Sequence, residues 1–458
     1  MFAYMNHGKD FYKRLFTLAL PLFVQQTVTS SLNIIDNFIV GSLGENALAA
    51  ITVANIPLRV LMLLCFGAQS GTTILVSQYW GKKDKDSISK ILGVGLFVTV
   101  SVTMIFVLIV YTMPYKFMSL FGNDPEVIEL SIEYIKILVI YYLFQGFVGI
   151  YNSSMTAMEM PLFSTIMVSS STILKIFLNN ALVKGMFGFK SLGIKGAGLS
   201  SLITVLIQFV CILLHMNFNS SFKVNVNYLL RPGIDMVKRY IANAGTVIMN
   251  ETLWGFGSSM IVNVMSHMQN SAIILSAYSV ANNIDTLTIA FSTSLSNTAA
   301  VIVGKEVGAK HDKKQVERIG WTMPTVSLIV GIFFGAALNI LGRTLGSTFL
   351  FSYYNLSEAS SNVCLIMINI FSFVVPLKAF NDAIVVGVLR GGGDVKFAAL
   401  IDLFPLWVGA VPYAALTGII LKLSITWVML SYVVQYIIQS IMGIYRLSSG
   451  KWIKNITN

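Results

Sequence analysis

The chain has 458 residues, of which 55% are hydrophobic and 11% charged, with a mean hydropathy of +0.75 and a net charge of +11. Apolar runs of about 20 residues recur along its whole length, which excludes a soluble domain and points to a polytopic helical membrane protein. The basic residues lie in short loops rather than on one soluble face, so nucleic acid is not the expected partner, and the short alternating segments of a β-barrel are absent.

Twelve spans are predicted, at about 14–41, 46–79, 88–113, 126–152, 161–184, 194–217, 236–266, 272–303, 316–341, 358–388, 397–420 and 424–446. Lys13 and Arg14 lead straight into the first span without a cleavable signal pattern. In that span Gln26, Thr29, Asn33 and Asp36 recur at spacings of three, four and three, and so share one helical face. Facing lipid, these groups would leave costly unsatisfied hydrogen bonds, so the stripe must face a cavity or another helix. A carboxylate held there can trade a proton for a cation, as an antiporter requires. Pro21, fifteen residues before Asp36, removes a backbone donor and favours a bend. Prolines 57, 161, 376, 405 and 412 act likewise in or at the ends of other spans.

Span 5 carries Lys175, a lysine in mid-span that needs a counter-charge or a route to the surface. It pairs with Asp36 across the first bundle, with its ammonium where a bound Na⁺ would sit, or it snorkels toward Lys184. Arg59 and Lys136 are the other embedded bases of this half, expected near helix ends or interfaces. The polar stretch 217–240 reads as the connection between halves. Beyond it, Glu251 lies mid-span in span 7, with Gly255 and Ser258 on its face. In span 8, Tyr278, Asn282, Asp285 and Ser292 form a second one-sided stripe. Lys378 and Asp382 in span 10 are four apart and are expected to pair within the helix. Asp402 opens span 11 and is expected at the interface. Tyr432, Gln435, Tyr436 and Gln439 share a face of span 12 that suits an amphipathic cavity wall, where aromatics offer cation–π contact to organic cations. Cys65, Cys211 and Cys364 lie in apolar segments and read as buried small hydrophobes, not a disulfide framework.

A near-copy of one segment returns 227 positions later: Leu48, Ala50, Val53, Ala54, Asn55, Gly81 and Lys83 match Leu275, Ala277, Val280, Ala281, Asn282, Gly308 and Lys310. Six spans per half give both copies the same orientation, so the repeat is parallel. Most of the 31 Lys and Arg lie on the side of the termini, whereas the opposite loops hold Lys116, Lys184, Lys190, Lys195, Arg343 and Lys422. This bias places both termini in the cytoplasm. The expected organisation is an N-terminal lobe over 1–217, a linker over 218–235 and a C-terminal lobe over 236–458. An enzyme is not expected. Gly391 to Asp394 match the Gly-x-Gly-Asp string of intramembrane aspartyl proteases, but no Tyr-Asp partner accompanies them. His7, His215, His267 and His311 have no metal-ligand spacing, and no phosphate-binding loop is present.

The strings LALPLFVQQTVTSSLNIIDNFIVGSLGENALAA (18–50), NETLWGFGSSM (250–260), AYSVANN (277–283) with VGKEVGAKHD (303–312), and GVLRGGGDVKF (387–397) resemble the multidrug and toxic compound extrusion (MATE) family over about 12–450. The resemblance implies two six-helix lobes around a central cavity and a monomeric cell-membrane exporter of cationic or amphipathic organic compounds, driven by inward Na⁺ or H⁺ with no other cofactor. It makes Asp36 and Glu251 the family's helix 1 and helix 7 acids, with Asp285, Lys175 and Asn179 as further coupling candidates. Gln26, Asn33, Tyr278, Asn282, Tyr432 and Tyr436 would line the cavity. The family's helix 5 commonly carries Asn-x-x-x-Asn or Asn-x-x-x-Asp, where this chain has Lys175 and Asn179. A fixed positive charge there would repel Na⁺, so no residue is assigned as a metal ligand. The reading leans toward H⁺ in the first lobe, or toward coupling displaced to Glu251 and Asp285; a coupling Na⁺, were it used, would sit at Asp36 or Glu251. The helix 10 role is not carried over to Asp382, which lies about one turn nearer the Leu-Arg-Gly turn than the family pattern has it. The first-half counterpart of that turn, MTAMEMPLF (155–163), lacks its arginine and glycines. The alternative is a flippase for an anionic lipid-linked precursor, whose cavity should be basic. The embedded acids of this chain at least balance its embedded bases.

Overall fold

The computed structural model describes the chain except residues 1, 42, 44, 123, 219–221, 346–350, 352–355 and 458, and the helical side chains of 2, 3, 33, 34, 37, 38, 40, 41, 45, 48, 287 and 345. Asn33 is among the latter, so its side chain lies outside the described residues. Among the described residues twelve long helices follow the predicted spans: α1 (Lys9–Gly41), α2 (Glu45–Gly81), α3 (Lys85–Thr112), α4 (Pro125–Ala157), α5 (Pro161–Lys184) and α6 (Ile194–Phe218). The second series is α7 (Ile234–Ser266), α8 (Ser271–Gly308), α9 (Lys313–Leu345), α10 (Glu358–Leu389), α11 (Val395–Ile420) and α12 (Ile425–Ser448). Among the described residues nine are long and apolar enough to cross a membrane, and α8, bent by 43° near its middle, is a tenth.

Local chemistry sets the ends. Asp84 accepts from Ser87 N at 3.0 Å to cap α3, and Asp124 accepts from Glu126 N at 2.9 Å while Pro125 opens α4. Ser357 caps α10 through Ser360 N at 3.1 Å, and Gly185 at φ 74° closes α5 in the left-handed region. Pro405 begins a π-helical turn, Pro405–Ala410, because it offers no amide to the α ladder. A second π turn, Ala383–Leu389, ends α10.

The sequence repeat is legible in backbone hydrogen bonds. After α2, Lys83 N donates to Trp80 O at 3.0 Å and Asp84 N to Tyr79 O at 3.0 Å. After α8, Lys310 N donates to Val307 O at 3.1 Å and His311 N to Glu306 O at 3.3 Å. Lys83 and Lys310 both take positive φ, 62° and 56°. The turns after α4 and α10 match in the same way: Met160 N to Met155 O at 2.9 Å, and Asp394 N to Leu389 O at 2.9 Å. Glu159 holds φ 62° where Gly393 holds 88°. The first copy thus keeps the geometry without the glycine, at a cost of about 1–3 kcal/mol for the strained residue.

By contacts the chain forms two compact units: Val24–Ile248, and Met1–Phe23 with Met249–Asn458. The changeovers fall inside α1 and inside α7. In the first unit one apolar cluster gathers Leu58, Leu61, Ile135 and Val139, and another gathers Ile39, Ala50, Val183 and Ile194. In the second a single large cluster runs from Leu15 through α8, α9 and α10 to Trp452. Its end nearest the chain termini is tied by charge. Arg14 Nη1 donates to Glu306 Oε1 at 2.9 Å, and Arg446 Nε and Lys454 Nζ donate to the buried Asp394 at 2.6 and 2.5 Å. Cys65 and Cys364 are buried as expected, whereas Cys211 is exposed on α6.

Candidate functional site

In the unit Val24–Ile248, α5 brings Lys175 and Asn179, one turn apart, against Asp36 of α1. Lys175 Nζ donates to Asp36 Oδ2 at 2.7 Å, and Asn179 Nδ2 donates to Asp36 Oδ1 at 2.6 Å. Ser200 of α6 in turn donates to Asn179 Oδ1, fixing the amide so that its nitrogen faces the carboxylate. Both carboxylate oxygens are therefore taken by N–H donors. The Lys175 and Asp36 side chains keep 19% and 24% of their exposure, whereas Asn179 is 1% exposed. Lys175 does not run to the surface beside Lys184. Gln26 is half-buried on the same helix as Asp36, ten residues earlier. Of the other bases in this unit, Arg59 is exposed in the middle of α2, and Lys136 lies half-buried over the Tyr111 ring at 6.0 Å.

In the other unit the acids gather on α7, α8, α10 and α11. Arg390, 2% exposed, donates from Nη1 to Glu251 Oε1 at 2.8 Å. Its Nη2 stands 3.6 Å from Asp402 Oδ2, beyond hydrogen-bond reach. Asp402 is held instead by two amides: Asn250 Nδ2 donates to Oδ2 at 2.8 Å, and Gln439 Nε2 to Oδ1 at 3.2 Å. Asp402 is thus a half-buried member of the cluster, its side chain 14% exposed, and not an interface residue, because amides of α7 and α12 reach it. Asp382 accepts from Ser292 Oγ at 2.7 Å and lies within electrostatic range of Lys378, Glu251 and Arg390.

The expected Lys378–Asp382 pair within α10 is corrected. Lys378 Nζ makes its ion pair with Asp285 Oδ2 of α8, at 3.6 Å, and Thr288 adds a hydroxyl to Asp285. A neighbouring helix supplies a second carboxylate, and Asp382 is turned to Ser292. The π turn Ala383–Leu389 lies between Asp382 and Arg390 and resets the rotation of the chain between them. The π turn at Pro405 follows Asp402 by three residues. Gly391, next to Arg390, packs on the Ala300 backbone of α8, where an added Cβ would come within 2.7 Å of its carbonyl oxygen. The close approach seats the arginine at the acids.

Of the predicted wall residues, the Tyr278 and Tyr432 hydroxyls stand 3.4 Å apart, both rings meet Phe371, Tyr436 is 7% exposed, and Asn282 is exposed. The structure therefore gathers Asp36, Lys175 and Asn179 in one unit, and Glu251, Asp285, Asp382 and Asp402 in the other. Arg390 and Asn250 escaped sequence reasoning as site residues, and Gln439, read as part of a cavity wall, instead holds Asp402. Arg390 reads as part of a turn, although it is the basic group beside three glycines at a helix end. Among the described residues no group of three or more His, Cys, Asp or Glu is placed to hold a metal.

The MatE family model matches residues 21–180 and 248–416. The chain is 25% identical over 450 residues to YoeA of Bacillus subtilis, a probable multidrug resistance protein, covering 95% of this chain and 93% of that one. It is 24% identical over 412 residues to the probable multidrug resistance protein NorM of Listeria innocua, covering 88% and 86%. Among solved structures it is similar to an outward-facing multidrug resistance MATE family transporter of the MOP superfamily, with a TM-score of 0.85, 17% identity and 96% of each chain covered. At that identity the likeness speaks for the fold.

Proposed function

The chain belongs to the MatE family, and we propose on that premise that it is a proton-coupled antiporter exporting cationic or amphipathic organic compounds by alternating access. It is a multi-pass membrane transporter and not an enzyme. In the proposed scheme it works as a monomer in the cell membrane with both termini in the cytoplasm. Protons flow inward as cargo leaves. The multidrug resistance relatives support organic cargo, and the excess of acids supports a cationic one. In the two clusters Asp36, Glu251, Asp285, Asp382 and Asp402 outnumber Lys175, Lys378 and Arg390.

The observation that carries the choice of ion is the Lys175 ammonium, 2.7 Å from Asp36 Oδ2. Na⁺ needs several oxygen ligands, and here the carboxylate presents both oxygens to N–H donors. A cation entering beside Lys175 would meet a like charge at close range. A proton needs no such cage. It can neutralise Asp36 and free the ammonium, and cargo can then exchange against the altered charge.

The test is transport of a fluorescent cationic dye in proteoliposomes under separately imposed gradients. Dye movement driven by a pH gradient and indifferent to Na⁺ is expected. Movement driven by a Na⁺ gradient at constant pH would overturn proton coupling, and movement under neither would overturn antiport of this cargo.

A further inference from the structure

The Glu251 cluster does not balance. Glu251, Asp285, Asp382 and Asp402 are four acids, and Lys378 and Arg390 are the two bases among them. Glu251 has Arg390 at 2.8 Å, and Asp285 has Lys378 at 3.6 Å. Asp402 shares Arg390 with Glu251, 3.6 Å from Nη2, and Asp382 accepts from the Ser292 hydroxyl, so four negative charges face two positive ones. Two unmatched negative charges in a largely enclosed site are costly, so a proton or another cation belongs there.

The surroundings single out Asp402. Its two amide neighbours are almost wholly buried, Asn250 at 1% and Gln439 at 2% exposure, and each leaves its amide oxygen without a hydrogen-bond partner. Arg390 Nη2, next to Asp402, is also buried and without one. Three orphaned polar atoms around one carboxyl are an arrangement built for two states, since each is expensive to leave unmade. An amide offers an N–H on one side and an oxygen on the other, so a flip converts a donor to a carboxylate into an acceptor from a carboxylic acid. The remaining charged and titratable groups facing Asp402 are Glu251 and Arg390, with Asp382 beyond them on α10 and Tyr436 on α12.

We infer that Asp402 is the exchangeable-proton site of the unit formed by Met249–Asn458, and that Arg390 is the positioning residue that holds Glu251 and closes on Asp402 when its proton leaves. In the loaded state the carboxyl O–H donates to the oxygen of Asn250 or Gln439, and Arg390 serves Glu251 alone. On release the O–H bond breaks, the proton passes to water, and the amide turns its N–H back to the carboxylate. Arg390 Nη2 then closes the 3.6 Å gap to Oδ2, so that one guanidinium bridges two carboxylates through its fork. The acid that titrates in this unit is thus on α11, while the helix 7 acid is held as a fixed counter-ion. This assignment rests on the proton-coupled reading above.

Infrared difference spectroscopy of the purified full-length protein in lipid nanodiscs tests the assignment directly. Between acidic and basic pH the wild type should show protonated-carboxyl C=O bands that include those of Asp36 and Asp402, and Asp402→Asn should remove one of them. Glu251→Gln should leave that band in place. Asp402→Glu, which keeps a titratable carboxyl if the asparagine variant fails to fold, should move the band's frequency. Bands all unaffected by either change at Asp402, or one removed by Glu251→Gln, would overturn the inference. The readout separates it from the proposed function. An Asp402 band in a protein without proton-driven dye transport would refute the function and keep the site, and proton-driven transport with unaltered bands in Asp402→Asn would do the reverse.

Discussion

Around Asp36 one carboxylate meets one ammonium and one amide, with the ion pair still about a fifth exposed. Around Glu251 four carboxylates share two bases, and the central arginine is 2% exposed. The first cluster closes on itself: its charge is balanced and both oxygens of its acid are occupied. The second is short of positive charge and keeps buried donors and acceptors unsatisfied. A repeat that preserves backbone turns to the level of single hydrogen bonds has therefore not preserved its ionic chemistry. In a duplicated membrane chain the shared part is the scaffold, and the sites diverge.

If the second cluster is the more tightly coupled, its arginine should be the costliest side chain to remove. Arg390→Leu strands Glu251 beside Asp402 and should destabilise the purified protein by about 3–5 kcal/mol. Thermal unfolding in detergent checks this, and a loss no larger than that of a surface pair would erase the distinction between the clusters.

Asp36→Asn removes the titratable group of the first cluster while keeping its shape, so dye efflux from cells should fall at least tenfold, equivalent to about 1.4 kcal/mol or more, at unchanged expression. Undiminished efflux would leave all coupling to the second cluster. Lys175→Asn takes away the internal ammonium and adds an oxygen ligand. A Na⁺-stimulated component of transport should then appear, measured as dye flux with and without a Na⁺ gradient. Its absence would show that the lysine is not what keeps Na⁺ out. The smallest effect belongs to the surface pair of Lys195 and Glu133, 3.0 Å apart with side chains 52% and 42% exposed. Lys195→Ala should change stability by about 0–1 kcal/mol and leave efflux as it was, which sets the baseline for the other three.

Much of the first cluster was legible in the chain. The stripe of Gln26, Thr29, Asn33 and Asp36 has helical spacing, and an intramembrane lysine demands a partner, so Asp36 and Lys175 could be paired on paper. The second cluster was only half visible. Glu251 and Asp285 stand out as acids in apolar segments. Asp402 and Arg390 sit near helix ends, where charge is cheap, and their sequence positions look ordinary. Spacing within one helix suggested Lys378 with Asp382; across helices, α8 offered Asp285.

The sequence by itself determined the twelve helices, their order and the duplication, because an apolar span must satisfy its backbone internally and the lengths and breaks follow from local composition. Tertiary structure alone decided which charges meet. Partners such as Arg390 and Glu251 are 139 positions apart, and no periodicity links them. Their encounter depends on how α7, α10 and α11 rotate against one another, which the π turns and the glycine contact on α8 set.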